Sequence, residues 1–224
     1  MWYNTAVMKK YKYILFDLDG TLIYSHPGIY ACFHHALKEI GWSSPTPEQL
    51  RLCIGPSLMY SFQNYYGMDE ATAWKATQIY REEYGRTGVW QNEPIEGALE
   101  LLRDLKSAGY GLAMATSKPE KYAKQISERF GFSEYFSAQT GCGFDGSFPT
   151  KASVIEETMR RAGAKAEDCL MVGDRKHDAE GAKEMGVDCA LLKIGYAESA
   201  DEYERANPDY IFENFAQLKK FLIK

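Results

Sequence analysis

The chain has 224 residues, of which 45% are hydrophobic and 25% charged, a balance typical of a folded protein with a sizeable core. The net charge of −5 argues against a surface for nucleic acid polymers, because such surfaces carry a basic patch. No apolar stretch is long enough to cross a membrane, residues 1–10 lack the apolar core of a signal peptide, and the scattered cysteines indicate reduced thiols. We therefore expect a cytoplasmic protein with no membrane partner.

Apolar runs typical of buried strands alternate with helical segments along most of the chain. The expected strands cover residues 13–16, 111–115, 135–139, 169–172, 189–192 and 210–212. The expected helices cover residues 96–108, 120–130, 151–162, 179–185 and 215–222. This alternation predicts an α/β fold with a Rossmann-like, doubly wound parallel sheet.

The stretch between the first two strands is far longer than a single crossover helix needs. We expect it to form a helical cap domain at residues 25–92. This cap would be inserted between the two parts of an α/β core, at residues 1–24 and 93–224, with hinges near residues 24–27 and 91–94.

The expected cap carries apolar residues at helical spacing and many aromatic side chains. Leu58, Met59, Phe62, Tyr65 and Tyr66 share one stripe, and Ala73, Trp74, Tyr80 and Tyr84 make a second. These rings either fill the core of the cap or offer a stacking surface for a nucleobase.

Two aspartates follow the first expected strand directly, in the stretch Asp17-Leu18-Asp19-Gly20-Thr21. The carboxyl ends of strands are where open α/β sheets place their chemistry. A carboxylate pair there can hold a hard divalent cation such as Mg²⁺, or act as nucleophile and general acid/base. The alternative is an acidic turn that only closes the strand.

Hydroxyls and a lysine follow at two later positions. Thr116 and Ser117 come after the second expected strand, where they either bind an anion at a helix N-terminus or cap that helix. Lys151 begins an expected helix and is either a solvated charge or a group that neutralises a phosphoryl group. Lys118, with Lys121 and Lys124, is expected on a solvated helix face.

A second pair of acids follows the strand at residues 169–172. Asp174 lies at the end of that strand, and Asp178 comes four residues later. If the strands are neighbours, Asp174 approaches Asp17 and Asp19, and such a cluster needs a cation or a lysine among its carboxylates. Asp178 has the alternative role of capping the next helix.

These segments, in this order, resemble the haloacid dehalogenase-like superfamily of phosphatases. The resemblance is carried by Asp17-Leu18-Asp19-Gly20-Thr21, Ala115-Thr116-Ser117-Lys118, Lys151, and Gly173-Asp174 with Asp178. Within it the chain looks like the phosphoglycolate phosphatase-like branch, which also holds 5′-nucleotidases, pyrophosphatases and β-phosphoglucomutases. The helical insert after the first motif matches this branch.

The resemblance implies an aspartyl-phosphate mechanism. Asp17 would attack phosphorus, and Asp19 would protonate the leaving alkoxide and then take a proton from water. Mg²⁺ would be bound by Asp17, by the backbone carbonyl of Asp19 and by Asp174.

The resemblance also implies how the substrate is held. Thr116, Ser117 and Lys151 would bind the phosphoryl group, and Asp178 would orient Lys151 or a metal-bound water. Gly55, Pro56 and Ser57 lie in a stretch that looks like the loop by which the cap reaches the substrate.

The expected function is therefore Mg²⁺-dependent hydrolysis of a small phosphomonoester, with a 5′-nucleotide or phosphoglycolate as leading substrates. The alternatives are a phosphomutase that uses the same aspartyl phosphate, a pyrophosphatase, and a binding protein built on the same fold. The expected partner is a small phosphorylated metabolite, and the expected assembly is a monomer or homodimer.

Overall fold

The computed structural model describes residues 11–197, 199 and 201–223. Its strands are β1 Tyr13–Phe16, β2 Ile23–Tyr24, β3 Glu93–Pro94, β4 Gly111–Pro119, β5 Phe136–Cys142, β6 Cys169–Gly173, β7 Asp188–Leu192 and β8 Tyr210–Phe212. Its α-helices are α1 His26–Glu39, α2 Pro47–Leu52, α3 Leu58–Asn64, α4 Glu70–Arg86, α5 Ala98–Ser107, α6 Glu120–Arg129, α7 Lys151–Ala162, α8 Lys176–Glu184, α9 Glu202–Ala206 and α10 Phe215–Leu222.

A six-stranded sheet in the order β5-β4-β1-β6-β7-β8 forms the centre of the molecule. All its neighbouring strands run parallel. Strand β1 lies between β4 and β6, with Phe16 opposite Met114 on one side and Val172 on the other. The predicted α/β fold with a parallel sheet is therefore confirmed.

Two layers of helices cover the sheet, which explains why its strands are apolar on both faces. Ile14 and Phe16 point into one cluster, which contains side chains of α5, α6 and α10. Leu15 points into the other, which contains side chains of α7, α8 and α9. Alternate residues of β1 thus pack against the helix layers on opposite faces of the sheet.

Helices α1–α4 follow one another between β2 and β3, two short strands that pair antiparallel. Aromatic side chains fill the interior of this helical segment. The Phe33 ring lies 5.0 Å from both the Phe62 ring and the Tyr80 ring. Trp74 departs from its predicted stripe, because 53% of it is exposed.

Several elements differ from the predicted ones. Helix α8 begins at Lys176 rather than at residue 179, and β2, β3 and α9 were not predicted. None of the five cysteines, all of which lie in the described part of the chain, forms a disulfide. In the described part of the chain, no helix is both long and apolar enough to cross a membrane. The signal-peptide prediction concerns residues 1–10, which lie outside the described residues.

Candidate active site

The sheet brings the carboxyl ends of β1, β4 and β6 together. Asp17 follows β1, Thr116 lies near the end of β4 and Asp174 follows β6. The backbone N–H of Asp17 donates to the carbonyl of Val172, 2.9 Å away, which ties the first acid to the neighbouring strand. The predicted strand-end residues therefore meet at one edge of the sheet.

Lys151 is buried and bridges two of the predicted acids. Its Nζ lies 2.9 Å from Asp17 Oδ1 and 2.8 Å from Asp178 Oδ1, and it donates to the carbonyl of Ala115 at 3.2 Å. Burial lowers the pKa of Lys151, but the two carboxylates outweigh it and raise the pKa above the ordinary value. Lys151 is thus a fixed cation in the site, and the alternative of a solvated charge is wrong.

Burial and the neighbouring charges perturb the pKa of the Asp17 carboxyl group. Burial, helped by the charge of Asp178, outweighs the lowering effect of Lys151 and raises the pKa of Asp17 from 3.8 to about 6. Perturbed carboxyl groups of this kind are typical of functional sites.

Asp174 is completely buried, and the hydrogen bonds that it accepts from described residues come from neutral donors. Thr21 Oγ1 donates to its Oδ1 at 3.3 Å, and the backbone N–H of Tyr196 donates to its Oδ2 at 2.6 Å. No ion pair joins it to a cation among the residues described. Burial, followed by the charges of Asp178 and Asp17, raises the pKa of Asp174 well above its ordinary value.

The backbone around Asp174 has no room for further side chains. A Cβ at Gly20 or at Gly195 would collide with the Asp174 carboxylate, and Gly20 has a φ of +80°. This close approach explains why a glycine follows the two acids of the first motif.

The acids form a group that fits a hard divalent cation. Oxygen atoms of Asp17, Asp174 and Asp178 lie within 4.8 Å of one another, and all three residues are buried. Lys151 is their only ion-paired cation among the described residues, so three carboxylates face one positive charge. Carboxylate oxygens and an uncompensated negative charge suit Mg²⁺.

Asp178 contacts both the backbone at the start of α8 and the side chain of Lys151. Its Oδ2 accepts the backbone N–H of Asp174 at 3.2 Å and that of Arg175 at 3.1 Å, which caps the first turn of α8. Its Oδ1 holds Lys151. This capping of the helix N-terminus by the Asp178 side chain explains why α8 starts earlier than predicted.

Lys118 was wrongly predicted to lie on a solvated face. It is buried, and its Nζ donates to both Asp19 oxygens, at 3.0 and 3.1 Å. It belongs to the extended end of β4 and not to α6, whereas Lys121 on α6 is exposed as expected. The Asp19 side chain is thus directed at Lys118, while the ligand predicted for the metal is its backbone carbonyl.

Thr116 and Ser117 do not cap α6, which begins only at Glu120, after Pro119. The Thr116 hydroxyl is buried and accepts the backbone N–H of Lys118 at 3.2 Å. Ser117 is exposed, and both residues line the same cavity as Asp17. The helix-cap alternative is therefore wrong for both.

A cavity of about 710 Å³ lies above Asp17, between the sheet edge and the helical segment. Gly55, Pro56 and Ser57 line it, in the connection between α2 and α3. The guanidinium of Arg175 donates to the carbonyl of Ile54, and its Nε donates to Glu202 Oε1 at 2.9 Å. Arg175 thereby joins this connection to the core, a role that the sequence alone did not indicate.

The amino-acid sequence of the chain matches a known family. A model of the haloacid dehalogenase-like hydrolase family matches residues 14–192. The chain belongs to this family. The predicted family and the predicted class of enzyme, a phosphoric monoester hydrolase, are confirmed at that level.

Named relatives differ in what they do. A protein named 5′-nucleotidase from Pseudomonas aeruginosa is 39% identical over 213 residues, which cover 95% of this chain and 96% of that protein. A protein named tyrosine-protein kinase PtkA from Mycobacterium tuberculosis is 37% identical, over 82% of this chain and 62% of its own length. Family membership therefore does not identify the substrate.

A solved structure shows the same fold. The crystal structure of a predicted phosphatase from Clostridium acetobutylicum superimposes with a TM-score of 0.89 at 36% identity, covering 94% of this chain and 97% of that one. The likeness extends over sheet and helical segment together.

Proposed function

We propose that the chain is a Mg²⁺-dependent phosphatase that hydrolyses a small phosphomonoester through an aspartyl phosphate on Asp17. The observation that carries the proposal is the placement of Asp17 on the wall of the cavity. There it is paired with Lys151 and is adjacent to the buried, cation-free carboxylate of Asp174. A buried nucleophile next to a fixed cation is suited to attack on phosphorus, where charge stabilisation supplies most of the catalysis.

The first step joins Asp17 to the substrate. A carboxylate oxygen of Asp17 forms a bond to phosphorus as the bond from phosphorus to the ester oxygen breaks. Asp19, protonated when the substrate is bound, gives its proton to the departing alkoxide and so becomes the carboxylate that faces Lys118. Lys151, with the hydroxyls of Thr116 and Ser117, holds the phosphoryl oxygens during this transfer.

The second step releases phosphate. Asp19 takes a proton from water, whose oxygen bonds to phosphorus, and the bond from phosphorus to Asp17 breaks. Asp178 keeps Lys151 in place through both steps, because its Oδ1 lies 2.8 Å from the ammonium nitrogen.

The carboxylates of Asp17 and Asp174 and the backbone carbonyl of Asp19 would bind Mg²⁺. The ion offsets negative charge on the phosphoryl group and on the nucleophile when it is bound.

Residues 25–92 would act as a cap over a core made of residues 1–24 and 93–224. The stretch Gly55-Pro56-Ser57 would contact the substrate from the cap side, since it lines the same cavity as Asp17. A closed cap excludes bulk water and so strengthens the electrostatic interactions inside.

The substrate proposed here is a 5′-nucleotide or a phosphoglycolate-like ester. The relative named 5′-nucleotidase, which matches over nearly the whole of both chains, supports the first of these. A phosphomutase and a pyrophosphatase are the alternatives, because the same aspartyl phosphate serves both.

Phosphate release from a panel of substrates tests the proposal. The panel contains nucleoside 5′-monophosphates, phosphoglycolate, sugar phosphates and pyrophosphate, each assayed with Mg²⁺ and with chelator. We expect Mg²⁺-dependent release from a monoester, lost in Asp17→Asn. Release from pyrophosphate alone, or transfer of label to a sugar bisphosphate without release, would move the assignment to one of the two alternatives.

A further inference from the structure

A row of three aromatic rings lines the cavity and leads away from Asp19. The Nζ of Lys118, which holds Asp19, lies 4.9 Å from the centre of the Tyr84 ring. The Tyr84 ring lies 5.3 Å from Tyr122, and the Tyr122 ring lies 5.3 Å from Phe144. We call Tyr84, Tyr122 and Phe144 the aromatic row, and all three line the same cavity as Asp17.

The two ends of the aromatic row differ in exposure. Tyr84, next to Lys118, is only 4% exposed, whereas Phe144 in the loop before α7 is 47% exposed. A large apolar ring that lines a cavity and is half uncovered offers a surface that an apolar, flat ligand can cover. The outer end of the row is thus a binding surface, and the inner end is part of the protein interior.

Arg81 lies beside Phe144 at the exposed end of the aromatic row. Its guanidinium carbon lies 5.9 Å from the centre of the Phe144 ring, and the side chain lines the cavity. Lys118 and Lys151 are each held by a carboxylate, but Arg81 forms no ion pair with any described residue. A planar cation beside an uncovered ring is suited to a planar, electron-rich group, which it can stack against.

We propose that Arg81, Tyr122 and Phe144 form the subsite for the leaving group, and that this subsite takes a nucleobase. The inference rests on the proposed function and makes a nucleoside 5′-monophosphate its substrate class. A base can stack on the exposed ring while the phosphate remains at Asp17, because base and phosphate are separated by a ribose.

A small phosphorylated acid fits these observations less well. Its carboxylate lies close to phosphorus, so it would leave most of a cavity of about 710 Å³ empty and would not cover the Phe144 ring. Cavities of about 300–1,000 Å³ usually enclose ligands the size of a nucleotide.

Two esters that differ only in the base provide the test. The value of kcat/KM is measured for adenosine 5′-monophosphate and for ribose 5-phosphate, in the wild type, Phe144→Ala and Arg81→Gln. Trp74→Ala is the matched control, because Trp74 is an exposed ring on α4, the helix that carries Arg81, and does not line the cavity. We expect the ratio of the adenosine 5′-monophosphate value to the ribose 5-phosphate value to fall about tenfold in Phe144→Ala, which loses a base-stacking ring, and in Arg81→Gln, which loses a planar cation that can stack on a base, and to stay at the wild-type value in Trp74→Ala.

Two outcomes would overturn the subsite and leave the proposed function standing. One is an unchanged ratio in Phe144→Ala and Arg81→Gln while the wild type still hydrolyses ribose 5-phosphate. The other is a loss of phosphoglycolate hydrolysis in Arg81→Gln with no change in the ratio, which would make Arg81 a carboxylate site.

A binding experiment tests the subsite independently of phosphate release. If the wild type releases no phosphate from any monoester, the proposed function fails, and calorimetric binding of adenosine 5′-monophosphate decides the subsite. Binding weakened about tenfold by Phe144→Ala but not by Trp74→Ala would support it. Absence of binding to the wild type would overturn it.

Discussion

At the scale of single residues, each of the two acids of the first motif is held by a buried lysine. Asp17 with Lys151, and Asp19 with Lys118, each place a carboxylate against an ammonium group at about hydrogen-bond distance. Removing one member of such a pair leaves the other charge buried without compensation, which costs more than the pair contributes. The two lysines are therefore as important to the site as the acids.

The pair of Lys118 and Asp19 can be tested by stability. We expect Lys118→Met to lower the free energy of unfolding by about 2–3 kcal/mol, since Asp19 would lose its only ion-pair partner among the described residues. Lys121→Met is the control, because Lys121 is exposed, and we expect a change within about 0.5 kcal/mol. Urea unfolding measures both, and equal values for the two variants would contradict the assigned pairing.

The raised pKa of Asp17 predicts how stability depends on pH in the absence of metal. Its folded-state pKa of about 6 exceeds the ordinary 3.8, so the folded protein binds a proton that the unfolded chain has already lost. The resulting stabilisation is fully present below about pH 4 and is lost as pH rises through about 6.

The measurement is urea unfolding in chelator between pH 4 and 7.5, for the wild type and Asp17→Asn. We expect the free energy of unfolding of the wild type to fall relative to that of the variant by on the order of 2 kcal/mol as pH rises. Carboxylates remote from Asp17 titrate in the same way in both proteins and cancel in the difference, whereas the titration of Asp174, whose pKa the charge of Asp17 raises, is part of the measured effect. Parallel curves would show that Asp17 is not perturbed.

Some residues of the candidate active site can be predicted from the sequence and others cannot. Asp17, Asp19, Thr116 and Asp174 follow apolar strands, and position at a strand end is a signal that can be read locally. Lys118 has no such signal, because its partner Asp19 lies 99 residues away and the pairing exists only once β1 and β4 are side by side.

At the scale of elements, one tight turn after β1 brings the first motif against the buried carboxylate of Asp174. The carbonyl of Ile23 accepts the N–H of Gly20 at 2.8 Å, and the positive φ of Gly20 brings the backbone against Asp174. Both the conformation and the missing side chain are needed at this position.

Gly20→Ala separates these two requirements when compared with Gly41→Ala. Gly41 has a similar φ of +70° but open space around its Cα, so its substitution adds only backbone strain of about 1–2 kcal/mol. Gly20→Ala adds a collision with the Asp174 carboxylate, and we expect it to abolish the rise in melting temperature that Mg²⁺ gives the wild type. Thermal unfolding with and without Mg²⁺ measures this, and a wild-type shift in Gly20→Ala would be evidence against Asp174 as a ligand.

Elements with a strong periodic pattern were predicted accurately, and very short ones were not. Strands β1 and β8 and helices α7 and α10 have the predicted bounds. Strands β2 and β3 have two residues each, too few for any alternation to be recognised, and they form because the two ends of the helical segment meet.

At the scale of the whole molecule, the cavity lies between two parts of the chain that are joined at several points. Arg51 donates to the carbonyl of Ala197 at 2.6 Å, and the Tyr196 hydroxyl accepts the backbone N–H of Ser25 at 2.8 Å. Because the N–H of Tyr196 also binds Asp174, one residue connects the start of the helical segment with the cluster of acids.

The sequence predicts the layers of the fold better than the lining of the cavity. Alternation of strands and helices is enough to give the parallel sheet and to place its chemical edge. The aromatic row could not be predicted, because Tyr84, Tyr122 and Phe144 come from three separate parts of the chain and meet only in the folded protein. Within the helical segment Phe62, Tyr66, Tyr80 and Tyr84 are buried, and the exposed ring of the row, Phe144, lies outside that segment.

The central claim is that Asp17 carries the phosphoryl group during turnover, and chemical trapping tests it most directly. The protein is quenched during turnover of a phosphomonoester with Mg²⁺, reduced with borohydride and digested for mass spectrometry. Borohydride reduces an aspartyl phosphate to homoserine, so we expect homoserine at position 17, and none in Asp17→Asn or without substrate. Steady turnover with unmodified Asp17, or with homoserine at another aspartate, would contradict the proposed mechanism.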